Sequence, residues 1–207
     1  MIAHPCRLFA TQIFASIGAL LLASVANAQH LQFGPEIVAK LPPYCRNALV
    51  YRDHVPGGND KAAIERWFKV MGKGFINIHH YCSGLQLTNR ALFDSQTKIE
   101  RDRDLRLSIP EFDYVIERAD STLPLLPEIL TKKGENLFLL ERDPEAIAAL
   151  VKAIEVRSDY WPPYAALSDH YKKKGQLDEA RNWLKRGLAA SGGAKALERR
   201  LRELPPN

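Results

Sequence analysis

The stretch of sequence that decides the fold spans residues 161–194 and reads WPPYAALSDHYKKKGQLDEARNWLKRGLAASGGA. Residues 161–163 place two prolines where a helix can begin, since proline is tolerated in the first helical turn. Residues 175–180 supply a glycine turn and the start of a second helix. The apolar face of the first helix comprises Tyr164, Leu167 and Tyr171. This pattern predicts a pair of helices joined by a short turn.

A similar pattern occurs earlier in the chain, in the stretch 127–160. Small or apolar residues recur 34 positions apart in four pairs: Gly134 with Ser168, Ala146 with Ala180, Leu150 with Leu184, and Ala153 with Gly187. Small residues at these positions let helices approach closely. A constant period of roughly 20–50 residues is typical of repeat proteins, in which each helix pair buries its apolar face against its neighbour.

These residues resemble the tetratricopeptide repeat family. The family's repeat has a fixed order of residue types: a large residue, leucine, a small residue, tyrosine, alanine, a bulky residue and a final small residue. This order is matched here by Tyr164, Leu167, Ser168, Tyr171, Ala180, Leu184 and Gly187. Units 127–160 and 161–194 carry the match. A degenerate unit is expected at 93–126, because Phe112 and Ala119 precede Ala146 and Ala153 by the same spacing, although Glu100 stands where a small residue belongs. Residues 195–207 are expected to form a capping helix and tail.

The resemblance implies a short α-solenoid of antiparallel helix pairs, with a groove that holds an extended peptide or a partner helix. Carried over by position, the groove would be lined by Glu128, Thr131, Glu135, Phe138, Ala165, Asp169, Lys172 and Lys173. Repeats that clamp a terminal carboxylate place Lys and Asn at positions occupied here by Thr131, Glu135, Ala165 and Asp169. Because acidic side chains repel a carboxylate, that subclass of ligand is not expected.

Helical patterns also cover the chain before the repeats. Apolar residues follow helical spacing in 61–71, after the capping candidates Asn59 and Asp60, and again from 75 to about 103. Further helices are expected to open at Pro110, Pro127 and Asp143. Alternating strand patterns are missing, so the sequence predicts an all-α fold, with residues 29–92 as an amino-terminal helical cap.

Composition excludes several classes of protein. Of the 207 residues, 46% are hydrophobic and 26% charged, which suits a globular chain that buries a core. The net charge of +5 is spread along the chain, so nucleic-acid binding is not expected. A mixed, solvated surface explains this excess better.

The amino terminus has the pattern of a secretory signal peptide. Arg7 precedes an apolar run from Ile13 to Leu22, and Ala26 and Ala28 occupy the positions that a signal peptidase reads. We expect cleavage after Ala28 and export, in a bacterium to the periplasm. An uncleaved amino-terminal anchor is the alternative. After cleavage no transmembrane segment is expected.

Two cysteines, Cys45 and Cys82, follow the predicted signal peptide. An even number of cysteines in an oxidising compartment favours a disulfide. A bridge closing this loop would contribute about 3–4 kcal/mol by the chain-entropy argument. It would tie the segment around Leu41-Pro42-Pro43 to the helix that carries Cys82.

The segment His79-His80-Tyr81-Cys82 gives the main alternative function. Two imidazoles and a thiol within one helical turn could bind a metal ion, contact haem, or form a nucleophilic pair. A tight metal site normally has three or four ligands, and a disulfide would remove the thiol of Cys82. No cofactor and no enzymatic activity are therefore predicted, and the histidines are expected to pack or cap.

The function expected from the sequence is an exported scaffold or adaptor that binds a protein or peptide. The alternative is a metal-handling or haem-handling protein using His79, His80 and Cys82. A third possibility is a structural subunit whose helix pairs cover their open edge in a homo-oligomer.

Overall fold

A computed structural model describes residues 33–205, and the predicted signal peptide lies outside them. Nine α-helices occur in this part of the chain, without β-strands, so the predicted all-α class is confirmed. They are α1 (Pro35–Val38), α2 (Lys61–Met71), α3 (Ile78–Asn89), α4 (Lys98–Arg118), α5 (Leu126–Leu139), α6 (Asp143–Val156), α7 (Pro162–Lys173), α8 (Leu177–Ser191) and α9 (Lys195–Arg202). Between residues 33 and 205, none of the helices is long and apolar enough to cross a bilayer.

Local signals explain where several helices begin. The Asp60 carboxylate accepts hydrogen bonds from the backbone N–H groups of Ala62 and Ala63, as the predicted cap of α2 requires. Thr97 and Glu100 form a capping box at the start of α4. Proline lies in the first turn of α5, α6 and α7.

The structure differs from the sequence prediction around α3 and α4. The expected helix from 75 to 103 is interrupted by a π-helical turn, Arg90–Asp94, because the capping box starts a separate helix. Pro110 opens no helix but lies inside α4. An internal proline removes one backbone hydrogen bond and costs about 3 kcal/mol, a loss that the packing of α4 between α3 and α5 offsets.

The helices pack mainly in three pairs along the chain: α3 with α4, α5 with α6, and α7 with α8. Successive pairs are joined through contacts of α4 with α5 and of α6 with α7, and α9 packs on α8. The connections within the α5/α6 and α7/α8 pairs are three residues long, so the paired helices run in opposite directions.

Two clusters of buried side chains hold the helices together. The first lies under α2 to α5 and includes the fully buried Tyr51, Tyr81 and Phe112. The second lies among α7, α8 and α9 and centres on Leu167 and Leu184. Both reach α6, which therefore contributes to each cluster.

The disulfide predicted between Cys45 and Cys82 is confirmed. Both residues are fully buried in the first cluster. The bridge joins the 3₁₀-helix Pro43–Asn47 to α3, so it fixes the amino-terminal segment against the helix pairs.

Glycines mark the close contacts within helix pairs. A Cβ atom on Gly134 would lie 2.7 Å from Cγ of Leu150 in α6, and one on Gly84 in α3 would overlap the ring of Phe112 in α4. Gly84 therefore allows close contact between α3 and α4, as Gly134 does between α5 and α6. The stretch 93–126, where a degenerate unit was expected, therefore does not contain a helix pair. It holds α4, and α3, the helix that packs against α4, lies before it.

Candidate functional site

A surface groove follows α5, α7 and α9. Its first part is a cavity of about 360 Å³ between α5 and α7, and its second is a cavity of about 520 Å³ between α7 and α9. The first is lined by Glu128, Thr131, Lys132, Glu135, Tyr160, Trp161, Pro162, Ala165, Ala166, Asp169 and Arg200. The second is lined by Ser168, Asp169, Lys172, Arg199, Arg200, Glu203 and Leu204. Asp169 and Arg200 line both parts, so we treat them as one groove.

The structure brings together most of the residues predicted to line a groove. Those around the first cavity are Glu128, Thr131, Glu135, Ala165 and Asp169, and the second cavity includes Asp169 and Lys172. Lys173 and Phe138 line neither. Instead, the Phe138 ring stacks on the imidazole of His170, with the ring centres 3.9 Å apart.

Small residues form the floor of the first cavity. Thr131 and Ala165 are both buried. The Thr131 hydroxyl donates a hydrogen bond of 2.7 Å to the Pro127 carbonyl, so its polar atom is satisfied within α5. These two residues set the depth of the groove rather than offering polar contacts.

A cluster of tyrosines surrounds Glu128 at the α5 end of the groove. The hydroxyl of the fully buried Tyr81 donates a 2.7 Å hydrogen bond to Oε1 of Glu128. Burial, followed by the negative charges of Glu128 and Glu135, raises the pKa of Tyr160 to about 12. Tyr44 stacks on Tyr81, and its own hydroxyl is buried without a hydrogen-bond partner in the described part of the chain. The Tyr81 hydrogen bond thus orients the Glu128 carboxylate, whose negative charge contributes to the raised pKa of Tyr160.

An ion pair crosses the middle of the groove. Nε of Arg200 in α9 lies 3.1 Å from Oδ2 of Asp169 in α7. Arg200 also donates a hydrogen bond to the Ala196 carbonyl. The pair therefore attaches α9 to α7 and divides the groove into its two parts.

Sequence reasoning missed several groove residues. Residues 195–207 are expected from the sequence only to form a capping helix and tail, yet Arg199 and Arg200 line the groove, as does Trp161, which also packs against the second cluster. The basic face of α9 is visible in the sequence, but the packing that turns Arg200 toward Asp169 is not. That packing comes from Leu197, which is fully buried against α8.

The histidine and cysteine segment forms ordinary structural contacts. The Cys82 sulfur is bonded to Cys45, so it is not available as a thiolate. Nδ1 of His79 lies 2.9 Å from the Ile76 carbonyl oxygen. Nδ1 of His80 lies 2.8 Å from Oε2 of Glu111, and its ring stacks on Tyr114. Within residues 33–205 no three His, Cys, Asp or Glu side chains are grouped to hold a metal ion.

An apolar surface that lines neither cavity is formed by the connection between α3 and α4 and the first turn of α4. Phe93 and Ile99 are each 79% exposed, and Leu92 is also exposed. We call these three residues the connector patch. Exposed apolar groups of this kind can mark a contact surface, so the patch is the natural comparison for the groove.

Comparison of the sequence with models of known protein families and with curated proteins finds no match.

Proposed function

We propose that this protein is an exported scaffold or adaptor whose groove along α5, α7 and α9 binds an extended peptide or a partner helix. The observation that carries the proposal is the position of the groove residues. Helices from successive pairs, α5 and α7, contribute side chains to one cavity, and α9 extends it. In the proposed arrangement the pairs are of the tetratricopeptide type.

The spacing of small residues supports this arrangement. Gly134 and Ala146 meet in the α5/α6 pair, and the equivalent positions of the next pair, Ser168 and Ala180, are both buried. The α3/α4 pair, with Gly84 against Phe112, completes three pairs. About three are needed for repeats to form a stable stack.

The groove suits a polypeptide better than a small apolar molecule. Small-molecule pockets are mostly apolar, with a few polar groups. This groove instead alternates charged side chains with small or aromatic ones. From Ala165 to Lys172, α7 spans about 10 Å, which an extended segment of about three residues would match.

Export is supported by two features. Residues 1–28 have the signal-peptide pattern, and the buried Cys45–Cys82 disulfide fits an oxidising compartment such as the periplasm. We propose a binding role without catalysis.

Site-specific photo-crosslinking tests the proposal. A photoreactive amino acid replaces Ala166, a half-buried residue lining the first cavity, in the full chain expressed in its host. The matched control replaces Glu179, an exposed residue of α8 that lines neither cavity. The proposal predicts a discrete adduct with another polypeptide from position 166 and none from 179. Equal labelling from both positions, or none from 166, contradicts it.

A further inference from the structure

The two ends of the groove carry opposite charges that are not neutralised within the described residues. At the α5 end, Lys132 pairs with Glu135 at 2.8 Å, whereas Glu128 has no cationic partner between residues 33 and 205. At the α9 end, Arg200 pairs with Asp169, and in the same part of the chain Lys172 has no acidic partner. One negative charge is left at one end and one positive charge at the other.

Glu128 is prepared to receive a cation. Its carboxylate keeps one fixed orientation because the buried Tyr81 hydroxyl donates to it, so little side-chain freedom is lost when a ligand binds. Tyr160 and Trp161 line the same cavity, and the Arg157 guanidinium already lies 4.9 Å from the centre of the Tyr160 ring, so within the described part of the chain Trp161 offers the free aromatic face. Aromatic faces attract ammonium and guanidinium groups, which adds to the attraction of the carboxylate.

The α9 end is suited to an anion. Lys172 and Arg199 line this cavity together, and the only ion pair of Arg199 among the described residues is a long one, 3.9 Å to Glu203. Both side chains are long enough to reach a carboxylate in the cavity. The ion pair between Asp169 and Arg200 lies between the two ends and is neutral in sum.

We infer that the groove selects a peptide segment with a cationic side chain at the α5 end and an acidic side chain at the α9 end. Glu128 would bind the Lys or Arg, and Lys172 with Arg199 would bind the Asp or Glu. The ligand is therefore read by the order of its charges. This inference rests on the proposed peptide-binding function and goes beyond it by naming the chemistry of the ligand.

Selection from a displayed library of random peptides, using the purified full-length protein, tests the inference. On the unmodified protein, the selected peptides should be enriched in one cationic and one acidic position at a constant separation. On Glu128→Gln the cationic enrichment should disappear while the acidic one remains. On Lys172→Met the acidic enrichment should weaken, because only Arg199 is left to bind the acidic side chain, while the cationic enrichment remains. The matched controls are Glu179→Gln and Lys185→Met in α8, which should select the same peptides as the unmodified protein.

Affinity measurements with one selected peptide make the test quantitative. Replacing its cationic residue by glutamine should weaken binding to the unmodified protein about fivefold, a typical size for a partly exposed charge pair. The same replacement should change binding to Glu128→Gln less than about twofold, because the partner carboxylate is already gone. Circular dichroism confirms that each variant is folded.

The outcomes separate the two proposals. Peptides that bind in the groove but show no charge preference, or no coupling to Glu128, overturn the inference and leave the proposed function standing. If no peptide binds the groove, the proposed function fails and the inference fails with it.

Discussion

At the scale of single residues, the distance between helices α5 and α6 depends on Gly134. A Cβ at this position would lie 2.7 Å from Cγ of Leu150 and 3.1 Å from the Ala146 carbonyl oxygen. The first contact is near the base of a buried side chain and the second is with backbone, so neither can move easily. Any side chain at Gly134 would push the two helices apart.

We therefore expect Gly134→Ala to lower the free energy of unfolding by about 1 kcal/mol, the difference between a mid-range overpacking cost and the helix preference of alanine. Alanine favours the helix by about 1 kcal/mol, but overpacking costs about 1–3 kcal/mol. Chemical denaturation measures the difference. The control is Gly74→Ala, whose Cβ would meet the flexible end of Leu123 and should cost less. A Gly134→Ala variant as stable as the unmodified protein would show that α5 and α6 do not depend on this contact.

The Cys45–Cys82 disulfide is the second determinant at this scale. The two cysteines are 37 residues apart. By the chain-entropy argument, removing both in Cys45→Ala/Cys82→Ala should lower the free energy of unfolding by about 3–4 kcal/mol. Urea denaturation checks this, with the unmodified protein in reductant as a comparison. If reductant also destabilises the double variant, which has no Cys45–Cys82 bridge, then the effect of reductant on the unmodified protein does not come from breaking this bridge.

The sequence predicted these residues to different extents. The cysteine pair was predictable because only two cysteines follow the signal pattern, and Gly134 because it recurs as a small residue at position 168. The hydrogen bond from Tyr81 to Glu128 was not predictable, because it joins residues 47 positions apart and depends on how α3 packs near α5.

At the scale of helices, a buried polar network joins α3, α4 and α5. Nδ2 of Asn136 donates to the hydroxyl oxygens of Thr88, at 2.6 Å, and Ser108, at 2.7 Å. Those hydroxyls in turn donate to the carbonyls of Gly84 and Leu105 in their own helices. All three side chains are buried, and the network therefore fixes the register of the three helices.

Asn136→Ala should lower the free energy of unfolding by about 1–3 kcal/mol, because two buried hydrogen bonds are lost while both hydroxyls keep their backbone acceptors. Asn89→Ala is the control, since the only side-chain hydrogen bond of Asn89 within residues 33–205 is a long, exposed one of 3.5 Å to the Lys40 carbonyl. Thermal denaturation compares the stability of Asn136→Ala with that of Asn89→Ala. Equal stability of the two variants would mean that the network does not hold the helices.

The junction of α5, α6 and α7 makes stability depend on pH. His170 in α7 stacks on Phe138 and lies 3.8 Å from Asp143, with only 9% of its side chain exposed. Burial lowers the pKa of His170 below its ordinary value of 6.5. The folded state therefore favours the neutral ring. Its contribution to stability is complete above pH 6.5 and is lost as the pH falls below that value toward the lowered pKa.

Denaturation at about pH 7.5 and about pH 5.5, on either side of the ordinary histidine pKa, tests this expectation. The unmodified protein should be less stable at the lower pH, and His170→Phe should lose less stability between the two values, because it keeps an aromatic ring and cannot be protonated. Some loss should remain, since burial and the neighbouring His80 also lower the pKa of His79. An unchanged difference in His170→Phe would exclude this histidine as a cause.

The limits of sequence prediction are clearest at the helix scale. The constant spacing of small residues located α5 to α8 because their connections are short and alike. It failed upstream because the stretch of chain from Gly84 to Phe112 is more than twice as long as the stretch from Gly134 to Ala146. The extra length holds the π-helical turn and the start of α4, which no fixed period can anticipate.

At the scale of the whole molecule, the groove combines predictable and unpredictable residues. The side chains from α5 and α7 were predictable because they lie on helices that the constant spacing of small residues locates. The contribution of α9 depends on how Leu197 seats that helix on α8, which is a property of the packed structure. The positions of Arg199 and Arg200 in the groove therefore could not be predicted from the sequence.

The central claim is that the groove, and not the connector patch, is the binding surface. Nuclear magnetic resonance spectra of the full-length protein, titrated with a peptide selected on it, test this most directly. We predict the largest shifts for groove residues Thr131, Ala165, Ala166 and Ser168, with little change at Leu92, Phe93 and Ile99. Shifts concentrated at the connector patch, with the groove resonances unchanged, would contradict the account.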